Sequence, residues 1–202
     1  MDAESRVVEL RRYVLRPGRR DEMIELFERE FLETQEAVGI RLLGLFRDLD
    51  APDEFVWFRG FGDMAARQAA LTAFYTGPVW REHARAVRRT MVDTDDVLLL
   101  RPPWPGAGFR PAAGDGSPVL VTTTPVADPE QAARALPAGA AEACFVPEPA
   151  ENTYPDLPVR SGESVLVTVT RSGRPAGVPA DHRTGPAHVA RLEPTARSPW
   201  PT

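Results

Sequence analysis

Two short runs of alternating residues hold the side chains best suited to chemistry. Across Arg6 to Leu15 the odd positions are Val7, Glu9, Arg11, Tyr13 and Leu15; across Phe55 to Phe61 they are Phe55, Trp57, Arg59 and Phe61. Successive side chains of a strand point to opposite faces, so each odd list is one surface. That surface mixes large aromatics with one carboxylate and two guanidiniums. Arg11 and Arg59 would stabilise anionic charge developing on a bound molecule. Tyr13 and Trp57 would stack on that molecule, with Phe55 and Phe61 beside them, and Glu9 or His83 would move protons. The same residues have an ordinary use: Glu9 and Arg11 as cross-strand ion pairs, Arg59 snorkelling from an aromatic cluster.

Other constellations are weaker. His83 borders the helical stripe Trp80, Ala84, Val87, Met91 and reads either as a proton shuttle or as a hydrogen-bonded boundary residue. His182 and His188 have no carboxylate at metal-ligand spacing, so no metal site is expected. Asp93, Asp95 and Asp96 could divide acid and base roles, but a turn before a strand accounts for them as well. Gly114-Asp115-Gly116-Ser117 lacks the lysine and spacing of a phosphate loop. Cys144 is the single cysteine, which excludes an intrachain disulfide and a cysteine-based metal site; buried and inert is the expectation. The segment from Glu148 to Arg160 sets Asn152, Tyr154 and Arg160 among prolines. A stiff polar loop of this kind suits ligand contacts, or equally a lid-like connection.

Those residues need elements to position them. Arg6 to Leu15 reads as a strand ended by Pro17-Gly18, followed by a helix from about Arg19 to Val38 with Met23, Phe27, Phe31 and Val38 near one face. Asp21 and Glu22 favour its start, and Gly39 its end. Ile40 to Asp48 and Phe55 to Phe61 are strands about an Asp50–Asp53 turn. Asp63 suits an N-cap for an Ala-rich helix to about Tyr75. Pro78 opens a further helical piece. Val97 to Leu100 closes the unit as a strand.

The order is βαββαβ, a ferredoxin-like arrangement of the α+β class over residues 1–101. Of the 21 prolines, 18 lie from Pro102 onward, so a Pro/Gly-rich linker is expected over 102–118. Residues 119–202 then read as a degenerate second ferredoxin-like repeat with a Pro-rich tail. Its strands are expected at Val119–Val126, Ala143–Val146, Ser164–Arg171 and His188–Leu192, with a short helix from Asp128 to Leu136.

In a ferredoxin-like sheet the first and third strands are central, which makes Glu9, Arg11, Tyr13, Trp57 and Arg59 neighbours. The even lists, Val8, Leu10, Arg12, Val14 and Val56, Phe58, Gly60, are largely aliphatic and are expected under the two helices. The aromatic odd face would then be an apolar patch too large to leave in water. It needs a second sheet, from residues 119–192 or from another chain, and a cavity between the two sheets would hold a ligand.

Composition bounds the rest. The net charge of −5 supplies no basic stripe for nucleic acid, and every basic residue is arginine, a pattern that GC-rich codon usage accounts for. No run reaches the roughly 20 apolar residues of a membrane span, and Met1–Ser5 lacks signal-peptide character, so a cytoplasmic protein is expected.

Several phrases resemble the NIPSNAP family: Val8-Glu9-Leu10-Arg11-Arg12-Tyr13, Leu15-Arg16-Pro17-Gly18, Gly39 through Arg47, Phe27 to Gln35, and Gly77-Pro78-Val79-Trp80. The resemblance covers about residues 6–101. It implies the dimeric α+β barrel class, in which two ferredoxin-like sheets pack face to face. That class includes antibiotic-biosynthesis monooxygenases, polyketide cyclases and haem-degrading enzymes. Some bacterial members look as if they continue with a repeat carrying a phrase like Glu151-Asn152-Thr153-Tyr154-Pro155.

The resemblance therefore implies a protein that binds a hydrophobic, polyketide-like small molecule and forms a homodimer. As an enzyme it would be a monooxygenase, cyclase or isomerase that needs no cofactor. The alternative is a non-catalytic dimerisation or ligand-carrier module.

Overall fold

In the computed structural model, which describes residues 5–109, 117–171 and 173–200, β1 (Val7–Leu15) runs antiparallel between β3 (Glu54–Phe61) and β4 (Met91–Arg101). On its far side β3 pairs with β2 (Arg41–Asp48). The predicted βαββαβ order is present, and its central pair sets Glu9 opposite Arg59 and Arg11 opposite Trp57. The long first helix is divided into α1 (Arg20–Leu26), a π-helical turn (Phe27–Phe31) and α2 (Leu32–Ala37). Gly39, at φ +90°, ends it in a conformation that L side chains avoid.

Helix α3 (Met64–Tyr75) starts at Asp63, whose side chain accepts the Ala66 amide at 2.7 Å. Helix α4 (Pro78–Thr90) opens with its proline at the first position, as expected. Strand β4 begins earlier than the Val97 expected from sequence. Its pairing with β1 extends to Met91 opposite Leu15, so Asp93, Asp95 and Asp96 lie on a strand and not in a turn.

The second half supplies β5 (Val119–Pro125), α5 (Pro129–Arg134), β6 (Ala143–Pro147), β7 (Val165–Thr170) and β8 (His188–Pro194). In the described part of the expected linker there is neither helix nor strand; residues 110–116, with most of the Gly114–Ser117 phrase, lie outside the described residues. Strand β2 pairs with β8 and β4 with β6, closing an eight-stranded antiparallel barrel in the order β1-β3-β2-β8-β5-β7-β6-β4. The cover for the sheet of the first half is thus provided by the same chain.

The parity lists are correct as surfaces, but their sides are exchanged. The even residues Val8, Leu10, Val56 and Phe58 join Phe145, Val121, Val167 and Leu192 inside the barrel. The odd residues Tyr13, Phe55, Trp57 and Phe61 pack under the helices with Met23, Phe27, Phe31 and Phe74. An eight-stranded barrel has an interior just wide enough to be filled by side chains, which suits an aliphatic row. A row holding Glu9, Arg11 and Arg59 needs polar partners, and Gln35 and Arg67 supply them in the outer layer. The expected cavity between two sheets is accordingly occupied by apolar core along most of the barrel. At one end Phe109 and Trp200 plug it, with ring centroids 5.2 Å apart.

This arrangement predicts the behaviour of the first half alone. A fragment of residues 1–101 would bare Leu10, Phe46, Val56, Phe58 and Leu98 together, a patch that water disfavours. It is expected to self-associate in sedimentation velocity; a fragment that stays monomeric at high concentration would contradict the barrel interior described here.

Candidate functional site

Between the outer face of β1–β3 and the helices lies a buried charge cluster. The Glu9 carboxylate meets Arg11 Nη1 at 2.7 Å, Arg59 Nε at 2.7 Å and Arg67 Nε at 2.6 Å. All four side chains are at most 1% exposed. Burial alone would raise the Glu9 carboxyl, but the guanidiniums of Arg59, Arg11 and Arg67 outweigh it and hold it well below the usual carboxylate range. Glu9 is therefore a fixed counter-ion, too weak a base for the proton transfer its sequence position suggested. Tyr13 accepts from Arg11 Nε at 3.0 Å, and burial pushes its phenol upward, so it stays protonated near neutral pH.

The charges in this cluster do not balance. Three guanidiniums share one carboxylate, and among the described residues no other carboxylate pairs with them. The remaining contacts are neutral: Arg67 Nη1 donates to Asn152 Oδ1 at 3.0 Å, and Arg59 Nη1 makes a long contact to Gln35 Oε1 at 3.5 Å. Three buried donors, Arg59 Nη2, Arg67 Nη2 and Trp57 Nε1, have no partner. An unmade hydrogen bond at a buried charged donor is costly, so such groups are matched to an acceptor. The Arg59 guanidinium also lies 5.1 Å from the Trp57 ring centroid, a cation–π contact that keeps it over the aromatic wall.

Beside the cluster is an aromatic pocket lined by Tyr13, Phe27, Phe31, Trp57, Tyr75 and Trp80, among others. Gln35 also lines it and connects it to Arg59. Its free volume is about 20 Å³, room for roughly one water. The π-helical turn carries Phe27 and Phe31 into the wall with centroids 6.0 Å apart; such turns recur at functional sites. A larger cleft of about 830 Å³ beside Trp104 and Pro102–Pro105 is lined by Arg6 and Arg101, the latter paired with Glu130, and by none of the clustered arginines. Charge, not size, decides between the two.

The segment after β6 straps the cluster from the second half. Asn152 accepts from Arg67 and from the Tyr154 amide, and donates to the Leu157 carbonyl at 2.9 Å. Thr153 bonds the Met64 carbonyl at the start of α3, and Tyr154 stacks on Tyr75 with centroids 6.0 Å apart.

Of the residues singled out from sequence, the fold brings Glu9, Arg11, Tyr13, Trp57, Arg59 and Asn152 together, with Tyr154 at the rim. Phe55 and Phe61 are fully buried in the floor of the core and do not line the pocket. His83 on α4 is half-buried against the π-helical turn, 3.4 Å from Glu30 and edge-on to Phe31, and does not line the pocket. Arg160 lies elsewhere, paired with Asp96 and Glu163 at the end of the barrel. Cys144 is buried, and its thiol is pushed up to about 12 by burial and by the Glu130 carboxylate, which leaves it inert.

Arg67 is the principal residue that sequence reading missed. The signal was present: Arg67 shares a helical stripe with Ala70, Leu71 and Phe74, so an arginine occupied an apolar face. Among the described residues no group of three or more His, Cys, Asp or Glu is placed to hold a metal ion, and no helix is long and apolar enough to cross a membrane.

Residues 8–104 match the NIPSNAP family model. An uncharacterized NIPSNAP-like domain protein from Burkholderia xenovorans is 28% identical, covering 55% of this chain and 92% of that one at a TM-score of 0.46. Two proteins named as putative monooxygenases share the fold over nearly the whole chain. The one from Lactobacillus acidophilus NCFM is 14% identical, covering 95% and 94% at a TM-score of 0.59. The one from Fusobacterium nucleatum subsp. nucleatum ATCC 25586 is 10% identical, covering 96% and 94% at 0.61. No curated protein matches. The stretch that builds the helix-covered face and contributes all four members of the buried cluster is the stretch matched by the family model, so residues 8–104 form a NIPSNAP domain.

Proposed function

We propose that the protein binds a small hydrophobic molecule with an anionic or enolic oxygen head in the pocket beneath the helices. The observation that carries this reading is the set of buried, donor-only, unpartnered groups Arg59 Nη2, Arg67 Nη2 and Trp57 Nε1 beside an aromatic wall. Groups that can only donate call for an acceptor, and a cluster with two excess positive charges calls for an anion. The aromatic wall supplies apolar area and stacking for the rest of the ligand.

As an enzyme, the protein would stabilise an enolate or similar oxyanion through Arg59 and Arg67, which serves oxygenation, cyclisation or isomerisation without a cofactor. Tyr13, a phenol already held by Arg11, would be the proton donor at the head. A ligand carrier is the second reading, favoured by the low basicity of Glu9, which leaves the cluster no general base. In the closed pocket there is space for about one water, so entry requires Tyr75, Trp80 and the strap carrying Tyr154 to part.

The second half, in this reading, is a degenerate repeat that replaces a second copy: its β5–α5–β6–β7–β8 order keeps one short helix and gives its strands to barrel closure. A homodimer would then form through surfaces other than the barrel interior.

Calorimetry with matched ligands tests the reading. Benzoate and 2-naphthoate are expected to bind with at least about tenfold higher affinity than benzamide and 2-naphthamide, the margin of one charge-assisted hydrogen bond. Equal binding of acids and amides would remove the anionic head from the proposal, and no binding of either would remove the pocket.

A further inference from the structure

The open end of the barrel holds a second polar recess that the buried arginine cluster does not reach. It has a volume of about 530 Å³ and is lined by Arg12, Glu54, Asp96, Thr123 and His188, among others. Arg12 is an even residue of β1, so it projects into the barrel while its neighbours Arg11 and Tyr13 project toward the helices. Closure of the barrel is what assembles this end, because Arg12 and Glu54 come from the first half, Thr123 and His188 from the second.

The recess contains groups of both charges that the protein leaves incompletely matched. Arg12 is 8% exposed and donates through Nη1 to His188 Nδ1 at 3.1 Å. A guanidinium cannot accept, so Nδ1 is the acceptor and the neutral ring carries its proton on Nε2. Burial and the Arg12 charge lower the His188 pKa, which keeps that ring neutral. The second terminal nitrogen, Arg12 Nη2, is buried without a partner, as is Thr123 Oγ1. Among the described residues Arg12 makes no ion pair, and no hydrogen bond reaches the Glu54 carboxylate. Partial burial, then the Asp48 and Asp96 carboxylates, raise the Glu54 pKa, and the pull of Arg12 offsets this only in part. Glu54 stands opposite Val14, one diagonal step from Arg12 on the paired strand.

We propose that this end of the barrel is a binding site for a free amino acid, held by its carboxylate on Arg12 and by its ammonium on Glu54. A simple anion would answer Arg12 but add to the repulsion at Glu54, and a simple cation would do the reverse. A zwitterion answers both, and its two charged groups are separated by a distance that two diagonal side chains can span. Thr123 and the Nε2–H of His188 supply further hydrogen bonds to the carboxylate. His188 also fixes the Arg12 guanidinium, so its role is to position that group. Asp96 stays engaged with Arg160 at 2.9 Å, leaving Glu54 as the free acidic partner.

The test uses the full chain and calorimetric titration with each of the twenty standard amino acids. At least one is expected to bind saturably, and its N-acetyl and its amide derivatives are each expected to bind at least tenfold more weakly. Arg12→Met and Glu54→Gln should each lose at least tenfold in affinity while keeping a wild-type circular dichroism spectrum. Glu54 is only partly buried, so Glu54→Gln keeps the test decisive should Arg12→Met fail to fold. The chain has three histidines, so imidazole NMR adds a local readout: His188 should shift on binding while His83 and His182 stay in place. The proposal is overturned if no amino acid binds the folded protein. It is equally overturned if the blocked derivatives bind as well as the free one, or if Arg12→Met or Glu54→Gln binds as wild type does.

Discussion

Replacing Glu9 by glutamine is expected to destabilise the protein by about 3–5 kcal/mol, the cost of stranding buried charges by removal of their counter-ion. Glu9 is the single carboxylate that pairs with the buried guanidiniums of Arg11, Arg59 and Arg67. Its loss leaves three cations under the helices with only neutral partners. For a chain of this size the change corresponds to a fall in Tm of about 6–20 °C, readable by urea or thermal denaturation.

The same substitution should alter the acid limb. Because the folded-state pKa of Glu9 is depressed, its contribution is complete above the ordinary glutamate value of 4.5 and is lost as pH falls below that value toward the folded pKa. Wild type should therefore lose stability more steeply below pH 4.5 than Glu9→Gln does. Parallel curves for the two proteins would mean that Glu9 is not ionised in the cluster.

Arg59→Met and Arg67→Met are expected to do the opposite kind of damage. Each removes hydrogen bonds to a charged partner, a cost of about 1–3 kcal/mol, but also relieves an excess of positive charge. The stability loss should therefore be smaller than for Glu9→Gln. Affinity for an anionic aromatic should fall much further, by about 10²–10³-fold, as expected when a desolvated charged contact is truncated. The diagnostic is the ordering: Glu9→Gln dominates in stability and the arginine variants dominate in binding. If the arginine variants bind 2-naphthoate as wild type does, the cluster is a structural ion network and nothing more.

Much of this fold was legible because its signals are local. The alternation of Val8, Leu10, Val56 and Phe58 against Glu9, Arg11, Trp57 and Arg59 marked the strands and separated their faces. Gly39, Asp63 and Pro78 marked helix ends through backbone conformation and capping. Which face lay inward was not legible. That depends on what each face meets, and the decisive partners, Arg67 on α3 and Asn152 in the strap, are distant in sequence from Glu9.

The aliphatic row went into the barrel because residues after Val119 closed around it, a long-range event that periodicity does not encode. The candidate site shows the same division. Glu9, Arg11, Tyr13, Trp57 and Arg59 were found by parity, whereas Gln35, Tyr75 and Trp80 come from helices whose rotation over the sheet is set by tertiary packing. Arg160 was misplaced for a related reason. The loop that carries Asn152 to the cluster continues past it, so its two ends serve opposite sides of the sheet.

In the proposed function the unpartnered donors beneath the helices receive the head of an anionic ligand. A crystal structure of the full chain with 4-bromobenzoate, phased at the bromine edge, tests it most directly. An anomalous peak is expected among Phe27, Phe31, Trp57 and Trp80, with the carboxylate within hydrogen-bonding distance of Arg59 Nη2 or Arg67 Nη2. Bromine found solely at the protein surface, with the cluster and its aromatic wall unchanged, would contradict it.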